Sequence, residues 1–284
     1  MSEYIKRNRH RVIIMGLLLI SIAVWSAVFR MPDGSLHIKV FDVGQGDSIF
    51  IRTPSGYKIL IDGGSNDKVL DYLGKQLPFF DKTLDLVVLT HPQSDHLAGL
   101  IEVAKRYEIK RLWVSYSEND TAQYSEWENV LGTQGLEGRV VWSGDQLIFS
   151  DNVVLQVQWP REESASDDLN TTSIVILIDY KDFEGLLTGD ADNQVQPYTE
   201  LTSEVEFLKV PHHGAKTALD KAFTSKLSPE ISVISVGSRN RYGHPAQNTI
   251  DLLKSLGSEL HRTDEDGTVE IVTDGSSWYT KIER

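Results

Sequence analysis

Thr90-His91-Pro92-Gln93-Ser94-Asp95-His96 follows directly on Asp85-Leu86-Val87-Val88-Leu89. The apolar run reads as a buried strand. It opens abruptly into two histidines and an aspartate, which places metal-ligand chemistry at a strand's C-terminal end. Loops at that edge of an α/β sheet commonly supply ligands, and His with carboxylate suits zinc or manganese. A lone His-x-x-x-Asp-His is a weak signal. Four more segments place His or Asp just after apolar strands: Ile61-Asp62-Gly63-Gly64, Leu187-Thr188-Gly189-Asp190, Val210-Pro211-His212-His213-Gly214 and Tyr242-Gly243-His244-Pro245. If these strands share a sheet and a direction, the five loops converge on one rim.

Around these motifs, Leu36 to Asp42 alternates apolar and polar residues and predicts a strand with Leu36, Ile38 and Val40 on one face. Val43-Gly44-Gln45-Gly46-Asp47 is a tight glycine turn. Strands are expected over 48–53, 58–61, 84–89 and 112–116, with helices over 67–77, 97–106 and 125–131. The second half repeats this logic, with a hairpin over 173–188, a strand over 205–210, helices over 194–201, 216–227 and 249–256, and closing strands over 259–262, 269–273 and 278–281. Asp264-Glu265-Asp266-Gly267 reads first as a hairpin turn. Clustered strands with helices between and after the clusters suggest two mixed sheets packed together with helices outside.

The chain has 284 residues, 40% hydrophobic and 24% charged, and no cysteine. That is enough for one large domain. Disulfides, thiolate metal sites and a Cys nucleophile are excluded, so any metal is held by N and O ligands. Net charge is −13. The first thirty residues are basic (Lys6, Arg7, Arg9, Arg11 and Arg30 against Glu3), so the remainder is more acidic still. Such a surface repels polyanions unless a metal or local patch compensates.

Residues Val12 to Phe29 carry no charge. Eighteen uncharged residues stand at the lower edge for a membrane-spanning helix. The basic flank before them predicts a cytoplasmic N-terminus and everything after Met31 outside. A cleaved signal peptide is the rival, but bulky Trp25, Phe29 and Arg30 surround Ser26-Ala27-Val28 and spoil the cleavage site. The expected division is therefore 1–30, flank and signal anchor, and 31–284, one globular domain.

Phe41-Asp42-Val43-Gly44-Gln45-Gly46-Asp47-Ser48 with Asp62-Gly63-Gly64 resembles the opening of metallo-β-lactamase-fold domains of the ComEC/Rec2 competence type. The segments His91 to Gly99, Leu187 to Asp190, Lys209 to Gly214, Gly243-His244-Pro245 and Asp264 to Ile271 match the same family in the same order. The resemblance covers residues 36–284. It implies an αββα sandwich and a metal-dependent hydrolase site, in a family associated with DNA uptake and thought to contain a nuclease. The many transmembrane helices of a full uptake channel are missing here, so the chain looks like the hydrolase domain on one anchor.

The resemblance implies Asp190 as a carboxylate bridging two metals, His91 as a ligand of the first, and Asp95, His96 and one of His212/His213 as further ligands of the second. His213 is preferred, because Gly214 lets the backbone approach closely; His212 then faces substrate. Two positions depart from the pattern. Gln93 stands where the family has His or Asp. A loop His expected before the Asp190 hairpin is absent, with Asn170 or Thr171 in its place. One tight metal, with a second bound weakly or only with substrate, is the expectation.

Asp95 or Asp190 can orient a metal-bound hydroxide. His244, and whichever of His212/His213 is not a ligand, can donate a proton to a leaving group. Lys209, Lys216, Arg239 and Arg241 lie beside the motifs and can hold phosphate charge, and Asn170 is a further candidate for touching substrate. Asp42, Asp47 and Asp62 read as structural support for the glycine turns. His10, His37 and His261 lack motif context and read as surface or strand residues. Tyr124, Trp127 and Trp142 are either core or stacking surfaces for bases. The leading expectation is a membrane-anchored extracytoplasmic phosphodiesterase acting on DNA. The alternatives are a hydrolase of a small or cell-envelope phosphodiester and a non-catalytic scaffold with a degenerate metal site.

Overall fold

The computed structural model describes residues 8–28, 32–164, 166–199, 201 and 203–284. Helix α1 (Arg9–Val28) exposes Val12 to Met15, Leu17 to Ile20, Ile22 and Trp25. Its Arg9, His10 and Arg11 are also exposed. Among the described residues no helix is long and apolar enough to cross a membrane. The expected anchor falls partly outside them: Lys6, Arg7, Phe29 and Arg30 are not among the described residues, nor are the side chains of 23, 24 and 26–28.

The first half runs β1 (Leu36–Val40), β2 (Ile49–Arg52), β3 (Lys58–Ile61), α2 (Lys68–Gln76), β4 (Thr83–Leu84), β5 (Leu86–Leu89), α3 (Ser94–Ala104), β6 (Glu108–Ile109), β7 (Leu112–Val114), α4 (Ala122–Gln134) and β8 (Arg139–Val140). The second runs β9 (Gln146–Ile148), β10 (Val154–Trp159), β11 (Val175–Tyr180), β12 (Phe183–Leu187), β13 (Phe207–Lys209), α5 (Lys221–Leu227), β14 (Ile231–Ile234), α6 (Gln247–Ser255), β15 (Glu259–Arg262), α7 (Thr263–Asp266), β16 (Thr268–Thr273) and β17 (Trp278–Glu283). One sheet has the order β17-β16-β1-β2-β3-β5-β7-β8, the other β15-β14-β13-β12-β11-β10-β9. β3, β5, β7 and β8 are parallel, as are β12 to β15. Parallel neighbours need crossovers, and α3, α4, α5 and α6 supply four of them.

Side-chain alternation sorts the core into three layers. Leu36, Ile38, Val40, Ile59, Ile61, Leu86 and Val88 meet Leu155, Ile176, Ile178, Phe207, Ile231 and Val233 between the sheets. Leu60 and Val87 face the other way, against Leu73 of α2, Leu97 and Leu100 of α3 and Trp127 of α4. Leu186 and Leu208 pack on Phe223 and Leu227 of α5 and Leu253 of α6. This is the αββα sandwich expected from the motifs.

Helix boundaries follow their caps. Thr121 Oγ1 accepts from Tyr124 N at 3.2 Å, starting α4, and left-handed Gly135 ends it. Asp220 Oδ1 accepts from Phe223 N at 2.7 Å, so α5 starts at Lys221 and not at Lys216 as expected. Among the described residues of 194–201, where a helix was expected, a 3-10 turn, Gln196–Tyr198, stands instead. Asp264 to Gly267 is no hairpin turn: β15 lies in the second sheet and β16 in the first, and α7 with Gly267 carries the chain across. His37 is not at the surface. It lies buried on β1 and shares Glu270 with Lys39, at 2.7 and 3.3 Å. His261 on β15 is bonded to Glu259 and Asp266.

Candidate metal centre

The loops that leave β3, β5, β12 and β13 meet at one edge of the sandwich, so the rim draws on both sheets. The helix after the first motif begins at Ser94, three residues earlier than its apolar pattern suggests, and Asp95 and His96 fall in its first turn. His91 and His96 are fully buried, with Asp190 and His213 at 1% and 2% exposure. His96 Nε2 lies 3.4 Å from Asp190 Oδ1. His213 Nε2 lies 3.2 Å from Asp95 Oδ2 and 3.6 Å from Asp190 Oδ2. The rings of His91 and His96 are 4.2 Å apart.

The second nitrogen of each histidine fixes the ring. Asp62 Oδ2 accepts from His96 Nδ1 and Thr90 Oγ1, both at 2.7 Å, while Asp62 Oδ1 accepts from Thr90 N at 2.9 Å. The Oγ atoms of Thr90 and Ser173 each lie 3.1 Å from His91 Nδ1. His213 Nδ1 donates to Ser235 O at 2.9 Å. His212 and His213 both adopt positive φ, 48° and 52°, a region that non-glycine residues enter rarely and mostly at constrained sites. Gly46 at φ +110° lets the glycine turn approach α3: a Cβ there would lie 1.9 Å from Asp95 O.

With each ring held from behind, the front atoms are left over. Among the described residues, His91 Nε2, His96 Nε2, His213 Nε2 and Asp190 Oδ1 are buried and have no hydrogen-bond partner. An unsatisfied buried polar atom costs about 1–3 kcal/mol. Four converging on one space match what a cation's coordination would satisfy. His91, His96 and Asp190 bring ligand atoms within 4.8 Å of one another, as do Asp95, His96 and His213.

The electrostatics agree. Burial pushes the His91 imidazole down to about 3, so it is neutral and ready to ligate. Burial also lowers His213, but Asp190, Asp47 and Asp95 overcome it and carry it up to about 10. His96 is raised in the same way by Asp190 and Asp62 against burial. Protons on these two rings neutralise the surrounding carboxylates, a role that a bound cation takes over while releasing them.

The substrate-facing residues divide. Gln45, Gln93, Asp95, Asp190, His212, His213, Tyr242 and His244 line a cavity of about 90 Å³. His212 and His244, the expected proton donors, lie ring to ring at 5.8 Å there, and Tyr242 stacks on His244 at 5.7 Å. Gln93 Nε2 donates to Asn170 Oδ1 at 2.7 Å. The two positions at which the sequence departs from the family pattern therefore touch each other. Lys209 is a correction: it is fully buried and gives its Nζ to Asp47 Oδ2 at 2.6 Å and to Val210 O at 3.0 Å. Lys216, Arg239 and Arg241 are exposed, and none of the three lines the cavity. Of the support residues, Asp42 caps its turn as expected, accepting from Gly44 N at 3.2 Å. Asp62 orients His96, and Asp47 reaches across to Lys209. Thr90, Ser173, Ser235, Gln45 and Tyr242 were not legible as site residues, since a lone hydroxyl or amide carries no spacing signal.

A sequence profile described as the metallo-beta-lactamase superfamily matches residues 41–238. The chain belongs to the metallo-β-lactamase superfamily. It is 26% identical over 290 residues to ComE operon protein 3 of Bacillus subtilis (strain 168), covering 93% of this chain and 36% of that protein. It is 25% identical over 302 residues to Recombination protein 2 of Haemophilus influenzae, covering 98% and 36%. With these relatives its metallo-β-lactamase domain is of the competence-protein type, and the chain spans about a third of their length. Exodeoxyribonuclease YycJ of Bacillus anthracis is 27% identical over 118 residues, 41% of this chain and 42% of that one. YhfI from Bacillus subtilis superposes with a TM-score of 0.54 at 11% identity, covering 87% of this chain and 100% of that one, which shows the shared fold.

Metallo-β-lactamase superfamily hydrolases bind divalent metals such as zinc, and the unpartnered His and Asp atoms fit such an ion. Asp62 then completes a carboxylate–histidine–metal relay through His96, of a kind whose loss typically costs 10–100-fold in metal affinity or activity. Asp62→Asn is expected to weaken zinc affinity by about that factor, measured by competition with a chromogenic chelator. An unchanged affinity would remove Asp62 from the relay.

Proposed function

We propose that this chain is a membrane-anchored, extracytoplasmic, metal-dependent phosphodiesterase that cleaves DNA in connection with DNA uptake. One observation carries the reading: unpartnered buried nitrogens and a carboxylate oxygen converge, and Asp190 and His213 among them line a small cavity together with His212, His244 and Tyr242. The competence relatives and the exodeoxyribonuclease name of another relative support DNA as substrate. The exposed apolar side chains on all sides of α1, with basic residues before and at its start, support the anchor and its orientation.

When bound, the ion would act as a Lewis acid and bring the pKa of its water down towards neutrality. Asp95, which lines the cavity, would be placed to orient the attacking water. His212 and His244, side by side at the cavity mouth, give a proton to the leaving oxygen. Asp95, His96, Asp190 and His213 form the tighter ligand set. His91 and Asp190 alone remain for a second position, because Gln93 and Asn170 are neutral amides bonded to each other. One tightly held ion per chain is therefore expected from metal analysis, rising to two in the double variant Gln93→Asp/Asn170→His. Two tight ions in the unaltered chain would refute it.

The acidic surface favours a second reading, a small or cell-envelope phosphodiester. The net charge is −13, and Lys209 is withdrawn from any substrate. One experiment separates the two: turnover of single-stranded DNA, duplex DNA and bis-p-nitrophenyl phosphate by the full chain in detergent, with manganese or zinc. Asp95→Ala and Asp190→Ala serve as controls. DNA cleavage lost in both variants supports the nuclease. Turnover of the small diester alone moves the substrate to a small molecule. No turnover and no metal would leave the scaffold reading.

A further inference from the structure

A second cavity, about 220 Å³, is lined in part by Leu89 and Pro92, the residues that flank Thr90-His91 of the first motif. It lies at the C-terminal ends of β5 and β7, the rim where parallel sheets receive ligands. Pro92, between ligand His91 and Gln93, forms part of its wall. Asn119 Nδ2 holds Pro92 O at 2.8 Å, and Ser115 Oγ holds Thr172 O at 2.7 Å, two residues from Asn170. One face of α4 supplies the opposite wall through Tyr124, Trp127, Glu128 and Leu131, spaced i, i+3, i+4, i+7.

Its lining is unlike that of the metal cavity. Trp127 is core at 2% exposure and Tyr116 is already stacked on Trp142 at 5.2 Å, while Tyr124 is half-buried, so Tyr124 is the ring left for stacking. Glu118 and Glu128 are exposed at the mouth, and no Lys or Arg is among the lining residues. Such a mouth repels phosphate and accepts hydrogen bonds from an amine. The volume falls below the roughly 300–1,000 Å³ of drug-sized ligand sites, and suits one flat ring. Carboxylates pair with the exocyclic amino group of cytosine, and stacking on an aromatic side chain tolerates any base.

We infer that this cavity is a base-holding subsite, in which Tyr124 stacks on, and Glu118 and Glu128 bond the amino edge of, a nucleobase beside the phosphodiester at the metal centre. The inference rests on the phosphodiesterase reading, and it gives a net-acidic protein a way to hold DNA without a basic groove. Positive phosphate tracking is replaced by base capture next to the ion.

The test is titration of the full chain, metal-loaded and in detergent, with dCMP, dAMP, TMP and deoxyribose 5-phosphate, read by calorimetry. dCMP and dAMP are expected to bind at least about tenfold tighter than the base-free phosphate, as stacking alone provides. TMP, which lacks the amino group, falls between. Glu128→Gln, at an exposed position, should bring dCMP toward TMP, and Leu131→Trp, which fills the cavity, should bring all three toward deoxyribose 5-phosphate. Equal or undetectable binding of all four ligands overturns the subsite, as does base-dependence that survives both variants. Base-dependent binding in a protein that cleaves no DNA would keep the subsite and remove the nuclease. Cleavage with base-blind binding would do the reverse.

Discussion

Asp190→Ala is expected to strip the centre of its ion and to lower hydrolysis of any phosphodiester by at least about 10³-fold. Asp190 is the residue to which both halves of the site point. Its Oδ1 lies 3.4 Å from His96 Nε2 and its Oδ2 3.6 Å from His213 Nε2, so one carboxylate ties together ligands from the two sheets. It is buried, and its own backbone N bonds to Ser173 Oγ at 3.2 Å, which leaves the carboxylate little freedom to be replaced by a neighbour. Alanine removes a negative charge that favours a cation there, and without the ion no Lewis acid would lower the pKa of a water. The supply of a nucleophile at neutral pH would be lost with it. Metal content by atomic emission and turnover of bis-p-nitrophenyl phosphate check the two halves separately. A variant that retains both metal and turnover would show that Asp190 is no ligand. One that retains metal but loses turnover would confine its role to the chemistry.

The candidate ligand cluster was legible because its chemistry is written in one-dimensional form. His and Asp that follow apolar strands have few reasons to be there, and five such segments in one chain have a common one. The sandwich was legible for a related reason: Ile59, Ile61, Leu86 and Val88 face one layer, and Leu60 and Val87 another, by the two-residue period alone. What stayed hidden depends on pairs distant in sequence. Gln93 and Asn170 each looked like a gap in the ligand pattern, and only folding shows that they bond to each other. Asp62 looked like a turn cap, yet its partners His96 and Thr90 lie 34 and 28 residues away. The stretch 264–267 looked like a hairpin because both flanks are strands; which sheet each strand joins is decided by packing, and α7 crosses between them. Asp95 and His96 lie within α3 and not before it, since polar residues at a helix start break no apolar period.

Lys209 shows how far the alternation could have been pressed. Phe207 and Lys209 are two residues apart on β13, so they point to the same side, and Phe207 lies in the layer between the sheets. A lysine on that side is carried into the interior and requires a carboxylate. Asp47, from the glycine turn of the other sheet, provides it at 2.6 Å. Burial alone would raise the Asp47 carboxyl, but Lys209, with His213 and His96, brings it below the usual carboxylate range. The pair therefore ties the β13 end to the β1–β2 turn directly behind His213, whose Nδ1 lies 3.5 Å from Asp47 Oδ1. Lys209→Met is expected to destabilise the fold by roughly 3–5 kcal/mol, because it leaves Asp47 as a buried charge without its partner. Chemical denaturation of the full chain in detergent measures it. The double variant Asp47→Asn/Lys209→Met, which removes both charges, should recover a large part of the loss, and the coupling in that cycle is the quantity that decides. A single-variant loss below about 1 kcal/mol would be the size of a surface pair and would return Lys209 to the substrate side. A large loss with recovery in the double variant fixes it as the strut on which His213 is mounted. In that case the metal affinity of Lys209→Met should fall along with its stability, although the residue touches neither ion nor substrate.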